Sequence, residues 1–293
     1  MRYEGKLYRP PSEADSLILQ ASIGCSYNRC SYCAMYLDKR FRPRPLEELR
    51  EDMDMAAAYY GAGNVRRVFL ADGDALILRT ARLLEILSDL RQHFPELQRV
   101  SVYASPQSLL AKSVAELAEL KAAGLSLHYV GPETGDPQVM AAITKGVTPG
   151  QLLDGCRRVI DAGAKLSVIF LLGVGGTELS HQHAVGSGRL ASAIDPHYLS
   201  VLTLVPVPGT EIHEQIEAGA LTLPDPRALL RELRTMIEHT DVQRALFRTN
   251  HASNAVPLAG TLPRDKARIL AVLDAVIADE SLPLRAPPSP HRL

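Results

Sequence analysis

Three cysteines fall within nine positions, Cys25, Cys30 and Cys33, in the run Gly24-Cys25-Ser26-Tyr27-Asn28-Arg29-Cys30-Ser31-Tyr32-Cys33. Thiolates are soft donors, and a loop with C-x4-C-x2-C spacing is short enough to wrap three of them around one soft metal centre. Iron–sulfur clusters are held by cysteine thiolates, and a four-iron cubane with only three local thiols leaves one iron open to a ligand that is not protein. The same cysteines could instead bind zinc, with Cys156 or a histidine as fourth ligand, or merely pack. No second C-x2-C or H-x3-H pair follows at zinc-finger spacing. His181 and His183 are two residues apart at a helix start and so point apart. Cys156, alone between Gly155 and Arg157, reads as a packed thiol.

Composition narrows the setting. The 293 residues are 46% hydrophobic and 22% charged, ordinary for a chain that buries a sizeable core. Thirty-two Lys plus Arg against 33 Asp plus Glu leave a net charge of −1, so no long-range field points to nucleic acid or to an anionic membrane. No apolar run reaches the roughly 18 residues of a membrane span, and the opening MRYEGKLYRPPSEADS lacks the apolar core of a signal peptide. A cytoplasmic, reducing location is expected. There, clustered cysteines speak for metal or redox chemistry rather than disulfides.

The elements that must position this loop form a β/α succession. Apolar runs at 17–24, 67–71, 99–104, 126–130, 166–172 and 198–205 read as strands, and amphipathic stretches at 46–60, 79–93, 113–123, 149–162 and 180–194 read as the helices between them. Such alternation predicts an α/β fold on a parallel sheet. Several strands end in turns that contain glycine or an acid: Gly24-Cys25, Asp72-Gly73-Asp74, Gly131-Pro132-Glu133-Thr134-Gly135, Gly173-Val174-Gly175-Gly176 and Pro208-Gly209-Thr210. Function gathers at the C-terminal ends of parallel strands, so these turns should line one mouth. After Gly219 the pattern changes to a helix at 227–240, an irregular segment at 247–263 and a last helix at 264–279, before the closing PLRAPPSPHRL.

On these residues, with Tyr32 preceding the third thiol, the chain resembles the radical S-adenosylmethionine (SAM) superfamily over roughly 17–219. It looks most like the Elongator-type radical SAM domain, in a bacterial group without a settled substrate. The loop departs from the superfamily's commonest C-x3-C-x2-C spacing by one residue. The resemblance implies a partial (β/α)6 TIM-like barrel with a helical or irregular C-terminal extension. It implies an N-terminal arm over 1–16, the barrel over 17–219, an extension covering the barrel mouth over 220–280 and a flexible tail over 281–293.

The resemblance also implies cofactors: a [4Fe–4S] cluster on Cys25, Cys30 and Cys33, and SAM. Asp72, Gly73 and Asp74 match a turn that accepts hydrogen bonds from the SAM amino group, and acceptors are what an amine requires. Glu133 matches a carboxylate near the ribose hydroxyls, while Gly173 and Gly175 match a turn whose backbone approaches adenine or the methionyl part. Tyr32 joins this cofactor-binding set. The implied activity is reductive cleavage of SAM to a 5′-deoxyadenosyl radical that takes hydrogen from an unidentified substrate, with a flavodoxin or ferredoxin as one-electron reductant.

Lys145, Asn250, His251 and Asn254 are the candidates for substrate contacts; the alternatives are that the two asparagines and the histidine cap or pin their own loop, and that Lys145 meets a carboxylate or precedes a helix cap. The cations of Lys39-Arg40-Phe41-Arg42-Pro43-Arg44 would either steer an acidic reductant or an anionic substrate, or form a solvated face. Two other classes stay open: a non-catalytic iron–sulfur electron-transfer or sensing protein, and a zinc-stabilised binding module.

Overall fold

The computed structural model describes residues 1–286 and 288, so the tail expected at 281–293 lies partly outside the described residues. Its elements are β1 (Leu17–Gln20), β2 (Ser22–Ile23), β3 (Arg42–Pro43), α1 (Leu46–Tyr60), β4 (Arg67–Ala71), α2 (Thr80–His93), β5 (Arg99–Ala104), α3 (Pro106–Leu110), α4 (Val114–Ala122) and β6 (Leu125–Glu133). They continue with α5 (Pro137–Ala142), α6 (Pro149–Asp161), β7 (Lys165–Leu172), α7 (Ser180–Ile194), β8 (Tyr198–Thr203), α8 (Glu211–Glu217), α9 (Pro226–Glu238), β9 (Ala245–Arg248), β10 (Ala259–Leu262) and α10 (Lys266–Ala278). The main sheet has eight strands in the order β1-β4-β5-β6-β7-β8-β9-β10. Pairs β1–β4, β4–β5, β5–β6, β7–β8 and β8–β9 are parallel, and β9–β10 is antiparallel. This is the α/β class expected from the alternation of apolar runs and amphipathic stretches.

Three details differ from the sequence reading. The first strand breaks at Ala21 into β1 and β2, and β2 pairs with β3 rather than with the main sheet. The segment expected to be irregular at 247–263 contributes strands: β9 is in register with β8 and β10 folds back on β9. A four-residue strand whose burial alternates is too short for periodicity to distinguish from loop. The short helices α3, α5 and α8 start at Ser105, Asp136 and Thr210, whose side chains accept hydrogen bonds from the first-turn amides. Among the described residues no helix is long and apolar enough to cross a membrane.

The chain divides into two compact units. The first takes 1–28, 35–130 and 154–166; the second takes 29–34, 131–153 and the residues from 167 onward. In the first, Val68, Phe69, Leu70 and Ala71 of β4 are all fully buried, as both faces of a parallel strand demand. Leu49 and Met53 of α1 and Leu83, Ile86, Leu87 and Leu90 of α2 complete its core. Cys156 is buried here as well, the packed thiol that its isolation implied. The N-terminal arm is tied down by Glu13, which is fully buried and accepts from Arg99 at 2.8 and 2.9 Å and from Tyr129 Oη at 2.7 Å. In the second unit, Val139, Ile143, Leu171, Val174, Leu204 and Ile212 form one apolar cluster against which Tyr32 packs.

The cations after the thiol loop are paired, and this removes the steering expectation for most of them. Lys39 Nζ lies 2.9 Å from Asp72, and Arg42 meets Glu4. Arg44 is buried, 2.7 Å from Asp52, with further contacts to Glu48 and to the Gln20 carbonyl. Burial pushes the Asp52 carboxyl up, but the Arg44 and Arg2 bonds outweigh it and the net direction is down.

Breaking a buried pair strands its partner's charge, so Arg44→Met is expected to cost about 3–5 kcal/mol in urea unfolding. Arg42→Ala, at an exposed pair, is expected to cost less than about 1 kcal/mol. Equal losses for the two would contradict this reading of the run.

Candidate functional site

Cys25, Cys30 and Cys33 are partly exposed on the loop between β2 and β3, and no disulfide engages them. Cys25 belongs to the first unit, Cys30 and Cys33 to the second. The Cys33 amide donates to the Cys30 carbonyl at 3.1 Å, closing a turn around Tyr32. Asn28 takes a positive φ of 45° and its side chain donates to the Tyr36 carbonyl at 2.8 Å. An asparagine adopts that left-handed conformation at low cost, which accommodates the longer C-x4-C span.

In the first unit two buried carboxylates at the end of β4 grip this loop. Asp72 Oδ2 accepts from the Gly24 amide at 3.0 Å, from Gln20 Nε2 at 3.0 Å and from Lys39 Nζ at 2.9 Å. Its second oxygen, Oδ1, is buried without a hydrogen-bond partner among the described residues. Asp74 accepts from the Ser105 amide at 2.8 Å, from Ser105 Oγ at 2.7 Å and from Ser26 Oγ. Between them Gly73 donates to the Gly24 carbonyl at 3.1 Å. A Cβ there would lie 2.4 Å from the Tyr36 ring, so only glycine fits.

In the second unit three expected site residues converge. Tyr32 Oη donates to Glu133 Oε1 at 2.8 Å, and Lys145 Nζ reaches the same oxygen at 3.2 Å and Tyr32 Oη at 3.1 Å. Glu133 sits at φ 65°, and its carboxylate occupies the space a Cβ on Gly131 would need, 1.9 Å from Oε1. The loop is pinned from two further sides: the Ser31 amide donates to the Ile143 carbonyl at 3.1 Å, and the Ile212 amide donates to the Ser31 carbonyl at 3.0 Å. Burial, then the Glu133 carboxylate, pushes the Tyr32 phenol well above its ordinary range. Burial pulls the Lys145 ammonium down, but Glu133 and the Cys30 and Cys33 sulfurs outweigh it, so the net direction is up. Burial likewise raises the Cys30 thiol, with Lys145 acting against it.

The glycine-rich turn after β7 is held by residues the sequence reading missed. Gly173, at φ 85°, donates its amide to Glu232 Oε1 at 2.7 Å, and Ser180 Oγ donates to the other oxygen. His183 Nε2 lies 3.5 Å from Glu232 Oε1, and its Nδ1 is 2.8 Å from Thr134 Oγ1 beside Glu133. His183 is fully buried, and its Nε2 has no hydrogen-bond partner among the described residues. Space beside Gly175 is filled by Leu179, Val139 and His183, all within 3.4 Å of a hypothetical Cβ. No sequence signal marked Glu232, since acids on an amphipathic helix ordinarily face water.

Of the expected substrate contacts, Asn254 is buried and fully engaged. Its Nδ2 donates to the Val201 and Thr249 carbonyls at 2.8 and 3.0 Å, and its Oδ1 accepts from Thr203 Oγ1 at 2.9 Å. His251 Nδ1 accepts from the Ser253 amide at 3.2 Å, while Asn250 is exposed.

The donor set suits a cubane. Among the described residues no three His, Cys, Asp or Glu side chains close on a single ion, but cubane thiolates bind separate irons and stand further apart than the ligands of one ion. The uncommitted Asp72 Oδ1 supplies a buried acceptor of the kind that a SAM amino group requires.

Comparison with known proteins gives concordant results. The family model described as the radical SAM superfamily matches residues 19–185. An uncharacterized methyltransferase of Pyrococcus horikoshii is 24% identical over 208 residues, 70% of this chain and 43% of that protein. The heme chaperone HemW of Mycobacterium tuberculosis is 27% identical over 211 residues, 69% of this chain and 53% of that protein. The chain thus spans about half the length of these curated relatives. Coproporphyrinogen III oxidase (HemN) from Escherichia coli, a radical SAM enzyme, superposes with a TM-score of 0.60 at 18% identity, covering 76% of this chain and 51% of that one. That likeness shows the fold, a partial barrel.

Glu232 carries a pH prediction. Burial drives its carboxyl up to about 7, with the Ser180 and Gly173 bonds pulling the other way, from 4.5 when unfolded. The folded state therefore favours the protonated acid. Its contribution is complete below pH 4.5 and is lost as pH rises through about 7. Glu232→Gln lacks this loss, so its stability should gain on the wild type by roughly 3 kcal/mol between pH 4.5 and 8.5. Urea unfolding of both proteins across that range measures it, and parallel curves would contradict it.

Proposed function

Because the chain belongs to the radical SAM superfamily, we propose that it is a SAM-cleaving enzyme with Cys25, Cys30 and Cys33 as ligands of a [4Fe–4S] cluster. The cluster and SAM are the cofactors of that family. Together, when bound, they supply a 5′-deoxyadenosyl radical through one-electron cleavage of the sulfonium, and the radical takes a hydrogen atom from the substrate. The observation that carries this reading is the buried anchoring of the thiol-bearing loop. Asp72 and Asp74 hold it at Gly24 and Ser26, and the second unit holds it at Ser31 and Tyr32.

The chain's own residues prepare that reaction. Asp72, with Gly73 and Asp74, would receive the SAM amino group on the acceptor that Lys39 and Gln20 leave uncommitted. Glu133 would face the ribose from the tie made by Tyr32 and Lys145, and the Gly173 and Gly175 turn would border the nucleoside. Lys145, Asn250 and His251 are the candidates to meet substrate. Asn254 shapes the loop that presents them, since its polar atoms are used internally. The narrower Elongator-type resemblance rests on the strand-end motifs and belongs to this proposal.

The similar proteins are a methyltransferase, a heme chaperone and a coproporphyrinogen III oxidase, which share no single substrate, so that of this chain is unidentified. The one-electron donor would be a flavodoxin or ferredoxin in the cytoplasm. Lys39, Arg42 and Arg44 are paired within the chain, which leaves the exposed Arg40 as the cation of that run that would meet the reductant.

The test is anaerobic reconstitution with iron and sulfide, followed by SAM and dithionite. The wild type is expected to release 5′-deoxyadenosine, and Cys30→Ser to fall to background. Undiminished release from Cys30→Ser would overturn the assignment.

A further inference from the structure

A lysine that is 6% exposed, beside a carboxylate that is 8% exposed, is an uncommon thing to keep next to metal-binding thiols. Lys145 and Glu133 share one oxygen contact at 3.2 Å, and both touch Tyr32, which stands in the chain between Cys30 and Cys33. The Lys145 ammonium also lies over the Tyr32 ring, 5.7 Å from its centre. Tyr32, two residues after Cys30 and next to Cys33, ties both charges to the thiol-bearing turn, the Glu133 carboxylate at 2.8 Å and the Lys145 ammonium at 3.1 Å from its hydroxyl. Neither is screened by bulk water, so both act at low local dielectric.

We propose that Lys145 and Glu133 are a buried charge pair that sets the reduction potential of the cluster, Lys145 raising it and Glu133 lowering it. The inference rests on the cofactor reading above and goes beyond it. The step concerned is the addition of one electron, from an external reductant, to the oxidised cluster. A cation nearby stabilises the added negative charge and an anion opposes it, and charge near the cluster is among the factors that set such potentials. Tyr32 couples the pair to the loop and is itself neutral, so it fixes position without contributing a charge. Lys145 thus has an electrostatic role at the cluster in addition to the substrate contact proposed above.

The experiment is a redox titration of the reconstituted full chain without SAM, followed by the electron paramagnetic resonance signal of the reduced cluster. The proteins are wild type, Lys145→Met, Lys145→Arg, Glu133→Gln and Tyr32→Phe. Expected are a shift to lower potential for Lys145→Met and to higher potential for Glu133→Gln. Lys145→Arg should return towards the wild type, and Tyr32→Phe should move least. Opposite signs are what charge predicts, whereas loosening of the loop would move both charge variants the same way.

If Lys145→Met fails to hold a cluster, the sign of the Glu133→Gln shift decides alone. Shifts of the same sign, or none, in proteins that hold the cluster overturn this inference and leave the cofactor reading standing. A wild type that takes up no iron and sulfide overturns both.

Discussion

A carboxylate with no access to water must find donors within the protein, and at Asp72 that requirement organises the surrounding chain. The Gly24 amide, Gln20 and Lys39 all turn towards one oxygen at 2.9–3.0 Å. Two of these donors come from β1 and from the start of the thiol loop, so the end of β4 and the beginning of the loop cannot separate without exposing a buried charge to an unpaired state. Lys39 then reaches back to the Lys6 carbonyl and lies over Tyr36, whose ring excludes any side chain at Gly73. Charge burial, a close ring contact and a glycine requirement are consequences of the same anchoring.

The second unit applies the same logic with different chemistry. Here the loop's Tyr32 is wedged into an apolar cluster and its hydroxyl is claimed by Glu133 and Lys145, while Ser31 is fastened through both its amide and its carbonyl. The glycine-rich turn is likewise fixed by a buried acid, Glu232, contributed by α9. That arrangement makes the C-terminal extension part of the scaffold for the turn. The two strands β9 and β10 extend the sheet from the same segment.

The parts of this arrangement that could be read from sequence are those where residue type and spacing are nearly diagnostic. The β/α rhythm follows from periodicity, and the family from three thiols in one loop together with acid or glycine at successive strand ends. Lys39, Arg42 and Arg44 could not be read, because a run of cations looks alike whether it faces water or finds Asp72, Glu4 and Asp52 in the folded chain. Glu232 was hidden for the related reason that amphipathic patterning assigns acids to the solvent face. At Asn254 substrate contact and loop-pinning could not be separated, because a polar, aperiodic stretch has the same composition whether it presents groups outward or satisfies carbonyls inward, as it does here.

The most direct test of the central claim is the Mössbauer spectrum of the protein reconstituted with isotopically enriched iron, recorded with and without SAM. Three protein thiolates on a four-iron cubane predict that one iron in four changes its signal when SAM is added, while the other three keep theirs. Four irons that stay equivalent in the presence of SAM, or a single mononuclear site, would contradict it.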